Sequence, residues 1–425
     1  MNKMKADMEK AILVHLSTTK EEKDNAKESM EELRGLAQTA GALVVKEVFQ
    51  VRTAIHPKFF IGKGKVFEII SMKEELEAGL IIFDRDLTPV QQRSLEDEIK
   101  EKVIDRTQLI LDIFTQRARS REGKLQVELA QLNYYLPRLH GKGMALSRLG
   151  AGIGTRGPGE KKLEEDRRRI LDRITKIKKD IQHIQKRRSL QRKSRKGIRI
   201  PMVSLVGYTN AGKSTLFNIL SRESMLTSPQ LFATLDPVLR RVRLESGISI
   251  FLSDTVGFIK KLPHELIAAF KATLEEVKEA DCLLHVIDTA DPEDEKKTAV
   301  VENILAELGV EKAPVIKVYN KIDLLPDPEE VLSKNKNAEG HTVYISAKTG
   351  MGMNALKESV KSAILEDLKE YELHLPFFEK DMIKSLSKWA FVLHKKAENG
   401  YITMKILADP ESAKKLEPYI TKRGD

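Results

Sequence analysis

Cysteine is almost missing from these 425 residues, and aromatic side chains make up only 5% of them. A single Cys282 excludes an internal disulfide framework and fits a reducing compartment. It stands in Cys282-Leu283-Leu284-His285-Val286-Ile287, which reads as a buried strand, so the thiol is packed rather than nucleophilic. No apolar run reaches the ~18 residues that a membrane-crossing helix needs. Met1 to Lys10 is too charged for a secretory signal. The expectation is a soluble cytoplasmic monomer with no membrane span, compatible with peripheral association at a membrane surface. Charge, by contrast, is plentiful. Lys+Arg 73 against Asp+Glu 63 gives a net charge of +10, which favours a polyanionic partner wherever the excess is localised. A chain this long is expected to hold more than one domain.

Residues 1–104 alternate apolar runs with amphipathic patterns. Ala11 to Val14, Ala42 to Val45 and Leu80 to Phe83 read as strands; Lys20 to Leu36, Lys65 to Glu77 and Pro89 to Ile99 read as helices. That alternation predicts a small α/β domain with a parallel sheet. Phe60-Ile61-Gly62-Lys63-Gly64-Lys65, at a helix start, reads either as an anion-holding loop or as a surface turn. Asp84 and Asp86 have no visible partner in the sequence and read as solvated or capping. Nothing in this domain points to an enzyme.

Residues 105–197 carry two apolar seams of heptad type. Leu125, Leu129, Leu132, Leu136 and Leu139 form the first; Ile170, Ile174, Ile177, Ile181 and Ile184 form the second. They predict a long antiparallel helical hairpin of ~35–45 Å, with residues 140–159 as its tip. The tip is rich in glycine and carries Lys142, Arg148 and Arg156. Gly152-Ile153-Gly154-Thr155-Arg156-Gly157 imitates a dinucleotide fingerprint, but it follows a helix rather than a strand and is rejected as one. A flexible linker is the plainer reading of the glycines. Against it stand the cations, and the one-signed run from Arg167 through Lys196 on the second helix. The tip therefore reads as an RNA probe that contacts phosphate and shape rather than sequence, because base-stacking aromatics are lacking there.

Residues 198–369 are organised around Gly207-Tyr208-Thr209-Asn210-Ala211-Gly212-Lys213-Ser214. An apolar strand precedes this loop, and a helix beginning with Thr215 follows it. In that context its backbone N–H groups cradle phosphates, Lys213 meets the β- and γ-phosphates, and Ser214 binds Mg²⁺. Phe232-Ala233-Thr234 lies in a polar segment before the next strand; Thr234 supplies a hydroxyl for Mg²⁺ and an amide for the γ-phosphate. Asp254-Thr255-Val256-Gly257 ends a strand, with Asp254 for Mg²⁺ and the Gly257 amide as γ-phosphate sensor. Asn320-Lys321-Ile322-Asp323 places a carboxylate that accepts two hydrogen bonds from guanine, which adenine cannot supply. Ser346-Ala347-Lys348 brings backbone N–H groups to the guanine O6. Four such motifs in order, each at a strand's carboxyl end, make GTP the nucleotide. Lys213, Thr234 and Gly257 are the expected catalytic contributors. Phe258 replaces the glutamine that positions water in Ras-type enzymes, so hydrolysis is expected to be slow until a partner completes the site; the plainer reading has Phe258 merely packing. Asn210 reads mainly as shaping the loop, with a monovalent-cation contact as the lesser reading. Residues 370–425 hold an Asn399-Gly400 hairpin signal between strand patterns and form a small α+β module.

The motif order, the Asn210-containing loop, Asp254-Thr255-Val256-Gly257-Phe258 and Phe232-Ala233-Thr234-Leu235-Asp236-Pro237 together resemble the HflX family of GTPases. Phe60 to Lys65 and Leu146 to Gly159 are similar to that family's segments and extend the resemblance over most of the chain. Val238 departs from a threonine common in the family. The resemblance implies GTP/GDP and Mg²⁺ as ligands, and the large ribosomal subunit and its RNA as partner. It further implies that the GTP state splits stalled or idle ribosomes, that the glycine-rich tip reaches toward the peptidyl-transferase region, and that hydrolysis permits release. A GTP-dependent assembly or RNA-maturation factor is the alternative function. A metabolic phosphotransferase reusing the loop is a third, unsupported by any substrate-base constellation. ATP hydrolysis by the N-terminal domain, found in some members, has no motif here.

Overall fold

The computed structural model describes residues 8–141, 158–195, 200–221, 231–232, 238–244, 248–255, 257–260, 277–310, 313–333, 341–366, 368–379, 382–383, 386, 389–398 and 400–423. The chain divides into two compact units. One comprises residues 1–182, 228–235 and 261–270; the other comprises 183–227, 236–260 and 271–425.

The first unit is built on four parallel strands, β1 (Lys10–Ser17), β2 (Leu43–Val51), β3 (Leu80–Phe83) and β4 (Lys102–Asp105), in the order β2-β1-β3-β4. Runs such as Ile12-Leu13-Val14 and Leu80-Ile81-Ile82-Phe83 are buried on both faces, as a covered parallel sheet requires. The expected helix from Lys20 to Leu36 is two helices. Thr19 caps α1 (Lys20–Asp24), the chain breaks at Asn25, and α2 (Ala26–Ala40) runs on until Gly41 at φ 94. Helix α3 (Lys63–Leu76) follows β2, and a capping box between Thr88 and Gln91 starts α4 (Pro89–Ile99). Strand β4 leaves no apolar run in the sequence, because only Val103 and Ile104 stand between the charged Lys102 and Asp105.

At the carboxyl ends of β1 and β3 the structure overturns one expectation. Asp84 is not solvated but buried, accepting from Ser29 Oγ at 2.6 Å and from an Arg106 guanidinium nitrogen at 2.9 Å. His15 Nδ1 lies 2.8 Å from the same carboxylate, and its Nε2 lies 3.1 Å from Ser17 Oγ. Arg106 also binds Glu32. Asp86 stays exposed and accepts from the Thr107 hydroxyl at 2.5 Å.

Beyond the sheet come α5 (Arg106–Arg117), α6 (Arg121–Tyr135) and α7 (Pro158–Arg195). The isoleucine seam is as expected: Ile174 and Ile177 are buried and Ile170, Ile181 and Ile184 half-buried, on a helix of 38 residues, about 57 Å at 1.5 Å per residue. The leucine seam is not. Leu125, Leu129 and Leu132 are only half-buried, while Gln126, Val127, Ala130 and Tyr134 are buried, because α5 packs on α6. The first arm is therefore short, with 15 helical residues before a 3₁₀ turn at Leu136–Gly141. Glu128 on α6 binds Arg173 on α7 through two bonds of 2.7 and 2.8 Å. The tip residues Lys142, Arg148 and Arg156, and the fingerprint-like Gly152 to Gly157, lie outside the described residues.

The second unit carries a six-stranded sheet, order β10-β9-β8-β5-β7-β6. Its strands are β5 (Met202–Gly207), β6 (Val238–Arg243), β7 (Ser249–Asp254), β8 (Cys282–Asp288), β9 (Val315–Asn320) and β10 (Thr342–Tyr344). All neighbours run parallel except β6 with β7. Helices α8 (Lys213–Ser221), α9 (Asp294–Glu307), α10 (Pro328–Ser333) and α11 (Met353–Leu365) belong to it, and Leu205, Phe217, Leu252, Leu284, Val318 and Leu356 share its core. Cys282 is fully buried there, and burial pushes its thiol up to about 12.

The C-terminal residues form an antiparallel sheet of β11 (Lys369–Pro376), β12 (Phe391–Glu398), β13 (Tyr401–Ala408) and β14 (Ile420–Arg423), with α12 (Pro410–Leu416). Glu398 pairs with Tyr401 across the turn and Gly400 takes φ 82, as the Asn-Gly signal requires. Phe391 packs against the core of the nucleotide sheet. Among the described residues no helix is long and apolar enough to cross a membrane.

Candidate functional site

In an open α/β sheet, ligands bind beyond the strands' carboxyl ends. The ends of β5, β7, β8 and β9 bring most of the expected residues to that edge. After Gly207 the chain makes a loop in which Asn210 adopts φ 62 and Gly212 φ 98, and Lys213 then opens α8. Asparagine tolerates this left-handed conformation, which fits the loop-shaping role. Gly212 is required for a second reason: a Cβ there would lie 2.2 Å from Asn320 Nδ2. Asn320 is buried at 2% exposure and joins two loops. Its Nδ2 donates to Ala211 O at 2.9 Å, and its Oδ1 accepts from Ala347 N at 2.8 Å. The phosphate loop and the Ser346-Ala347-Lys348 loop are thereby held in register by one side chain.

Lys213 is buried, with Nζ donating to Gly207 O at 3.0 Å and to Tyr208 O at 2.6 Å. Burial pulls its amine down to about 8, against the opposing attraction of Asp254. Ser214 Oγ donates to Asp254 Oδ2 at 2.8 Å, so two of the expected magnesium ligands converge. Thr215 is half-buried on the first turn of α8. Gly257 lies against the same centre: a Cβ on it would lie 3.0 Å from Lys213 Nζ and 2.9 Å from Thr209 Cγ2. Strand-like bonds lace that segment to the phosphate loop, Thr209 N to Phe258 O at 2.8 Å and Phe258 N to Gly207 O at 3.1 Å. Phe258 is 2% exposed, so its ring packs. Thr255 spends its hydroxyl on Leu205 O at 2.5 Å and acts as internal support.

At the other end of the edge, Asp323 Oδ1 accepts from Ser346 Oγ at 2.6 Å, and Ser346 Oγ accepts from Thr349 N at 3.1 Å. Lys321, at φ 67, binds Asp288 at 2.5 Å. Ala347 is buried and Lys348 exposed. Ala233, Thr234 and Val256 lie outside the described residues. Phe232 belongs to the first unit, where its buried ring meets Phe114 edge-on at 4.6 Å.

Three contributors escaped the sequence reading. Asp288 ends β8 on the same edge and orients Lys321; its place at a strand's carboxyl end was the available signal. Lys297 lies over the Tyr208 ring at 5.4 Å, and Lys260 N donates to Tyr208 Oη at 2.7 Å. No local pattern marks either of those two.

Comparison with known proteins agrees with this geometry. Residues 27–115 match a family described as GTP-binding GTPase N-terminal, 117–195 its Middle Region, and 202–321 a family described as 50S ribosome-binding GTPase. A GTPase HflX of Caldanaerobacter subterraneus is 45% identical over 420 residues, covering 99% of this chain and 96% of that protein. The GTPase HflX of Escherichia coli is 44% identical over 368 residues, covering 87% and 86% respectively. That of Chlamydia pneumoniae is 36% identical over 420 residues, covering 98% and 89%. With a phosphate loop and likeness at this level along the whole chain, the protein binds and hydrolyses GTP and belongs to the HflX family of GTPases.

Proposed function

We propose that this GTPase binds the large ribosomal subunit, dissociates stalled or idle ribosomes in its GTP state, and is released after hydrolysis. The observation that carries the reading is α7. On this helix Arg167, Arg168, Arg169, Lys176, Lys178 and Lys179 are exposed, and the only buried side chains among those described are Ile174 and Ile177. A 38-residue cationic rod leading away from the glycine-rich tip suits insertion along RNA phosphates. The family description of residues 202–321 as a 50S ribosome-binding GTPase supports the same partner.

Ser214 and Asp254 would hold Mg²⁺, with Thr234 as a third ligand; their converging oxygens fit a hard cation. Bound there, the ion neutralises charge on the phosphates. Lys213 turns its amine from two loop carbonyls to the β- and γ-phosphates, and the Gly257 amide faces the γ-phosphate. Buried Phe258 orients no water, so large subunits are expected to accelerate turnover by supplying what the site lacks.

The test is sedimentation of intact ribosomes with the protein and a non-hydrolysable GTP analogue, against GDP. Free subunits in the analogue sample alone support splitting. Binding to large subunits with ribosomes left intact would transfer the site to particle assembly or RNA maturation.

A further inference from the structure

A phosphate loop works through its backbone N–H groups and its lysine, so a phenol is not among the groups that task requires. Yet Tyr208 stands second in this loop, and its side chain is buried. A buried tyrosine hydroxyl needs a partner, and which partner it takes is informative. Three hydrogen bonds fasten the loop to residues 257–260. Phe258 N donates to Gly207 O at 3.1 Å, Thr209 N to Phe258 O at 2.8 Å, and Lys260 N to Tyr208 Oη at 2.7 Å. The first two are backbone rungs of a parallel bridge between Tyr208 and Phe258. The third is made by the tyrosine side chain and carries the fastening two residues further.

A second contact fixes the ring itself. Lys297 Nζ, on α9, lies 5.4 Å from the ring centre, within cation–π range, and Asp291 binds the same amine. Packing alone would be met by phenylalanine, which has no hydroxyl to offer Lys260 N. The residue that gains from the fastening is Gly257, one position before Phe258. It already lies at the phosphate site, where a Cβ on it would come 3.0 Å from Lys213 Nζ. Glycine loses more conformational freedom on ordering than any other residue. Its amide is therefore a good donor to phosphate only when both flanks are held. Thr255, bound to Leu205 O, holds one flank; Phe258 and Lys260 hold the other.

From this arrangement we infer that Tyr208 is a positioning residue for γ-phosphate recognition. Its hydroxyl holds Lys260, and through that segment the Gly257 amide, where a γ-phosphate meets it. GDP has no group that reaches this amide, so the bond sets the preference for GTP over GDP. Lys297 acts one step further back by fixing the plane of the ring. The inference concerns the GTPase site alone and is independent of the ribosomal partner proposed above.

The test uses the full chain without ribosomes. It compares affinities for GDP and for a non-hydrolysable GTP analogue in the presence of Mg²⁺, and adds single-turnover hydrolysis of GTP. Tyr208→Phe keeps the ring and its Lys297 contact and removes only the hydroxyl. It should weaken the analogue roughly 2- to 10-fold, the worth of one hydrogen bond, and slow the single turnover by a similar factor. GDP affinity should stay at the wild-type value, which also shows that the loop is folded. Lys297→Met keeps the aliphatic stem and removes the charge; it should shift the analogue-to-GDP ratio the same way by roughly 2- to 5-fold. Because the cation acts through the ring, the double variant should lose less than the product of the two single losses. Equal weakening of the analogue and GDP would overturn the inference, leaving Tyr208 as a shaper of the loop. An unchanged ratio would overturn it too, and so would tighter binding of the analogue, which would make the bond a restraint. Losses that simply multiply in the double variant would overturn the role given to Lys297.

Discussion

The parallel N-terminal sheet and the mainly parallel nucleotide sheet both gather charge at their carboxyl ends, but they use it differently. In the N-terminal sheet, Ser17, His15 and Asp84 are hydrogen-bonded in the order of a nucleophile relay, and Arg106 and Ser29 complete the carboxylate. Every member of the relay is at most 3% exposed, so no substrate reaches the hydroxyl. The groups satisfy one another and close the edge. In the nucleotide sheet the corresponding loops are held apart from below, Asn320 bracing two of them and Thr255 tying a third to β5. Glycine at 212 and 257 keeps the backbone close to Lys213 and Asn320 without side chains filling the space. A strand's carboxyl end is thus only an opportunity. It becomes a site when the polar groups there are braced by neighbours rather than consumed by them.

The sharpest way to break that contrast is to remove the amine at the centre of the open edge. Lys213→Ala should lower GTP turnover by two orders of magnitude or more, as loss of a preorganised charge does, while leaving the urea midpoint near wild type. Turnover within tenfold of wild type would show that the loop alone suffices. The same amine predicts a proton uptake. Burial holds it at about 8 before nucleotide arrives, and phosphates then favour the charged form. Above pH ~8 the free protein has lost that proton, so GTP binding must take one up and affinity should fall as pH rises, by at most about tenfold per unit. Calorimetry at pH ~9 in two buffers of different ionisation enthalpy measures the uptake, which should vanish in Lys213→Ala.

At the closed edge the expected effect is on stability. Asp84→Ala leaves Arg106 and His15 buried beside a missing carboxylate, and breaking a buried ionic network in this way costs about 3–5 kcal/mol. Chemical unfolding should show that loss, with the KM for GTP unchanged. A changed KM at wild-type stability would reopen the N-terminal sheet as a functional edge.

How far the sequence foretold these two edges follows from where each partner sits along the chain. The nucleotide motifs are contiguous words, so the sequence alone places Lys213, Ser214, Asp254, Asn320 and Asp323 at one edge. Asp84 could not be read, because His15 and Arg106 stand 69 and 22 residues away and only the β1–β3 and β3–β4 pairings bring them together. Asn320 was read as part of a base-recognition motif; its span from Ala211 to Ala347 is a tertiary fact. The isoleucine seam of α7 was legible because the helix buries one stripe. The leucine seam of α6 misled because α5 covers a neighbouring face, making Gln126 and Ala130 as buried as any leucine.

The finest test of the contrast compares the two buried histidines. His15 has both ring nitrogens in hydrogen-bond range of partners. His285, in β8 between Val206 and Lys317, is 1% exposed, and its Nδ1 has no hydrogen-bond partner among the described residues. Burial drives its pKa down to about 4; Glu302 opposes the shift, and Lys317 and Lys213 reinforce it. A histidine whose pKa is depressed on folding binds its proton better in the unfolded chain. Its contribution is therefore whole above pH ~6.5 and lost as pH falls toward ~4, by up to about 3 kcal/mol. Unfolding free energies of wild type and His285→Leu, measured side by side across that window, isolate the effect. The leucine variant should lose less stability on acidification, because it has no proton to exclude. If the two slopes coincide, the acid sensitivity belongs to carboxylates elsewhere, and β8 tolerates a charged ring beneath the phosphate loop.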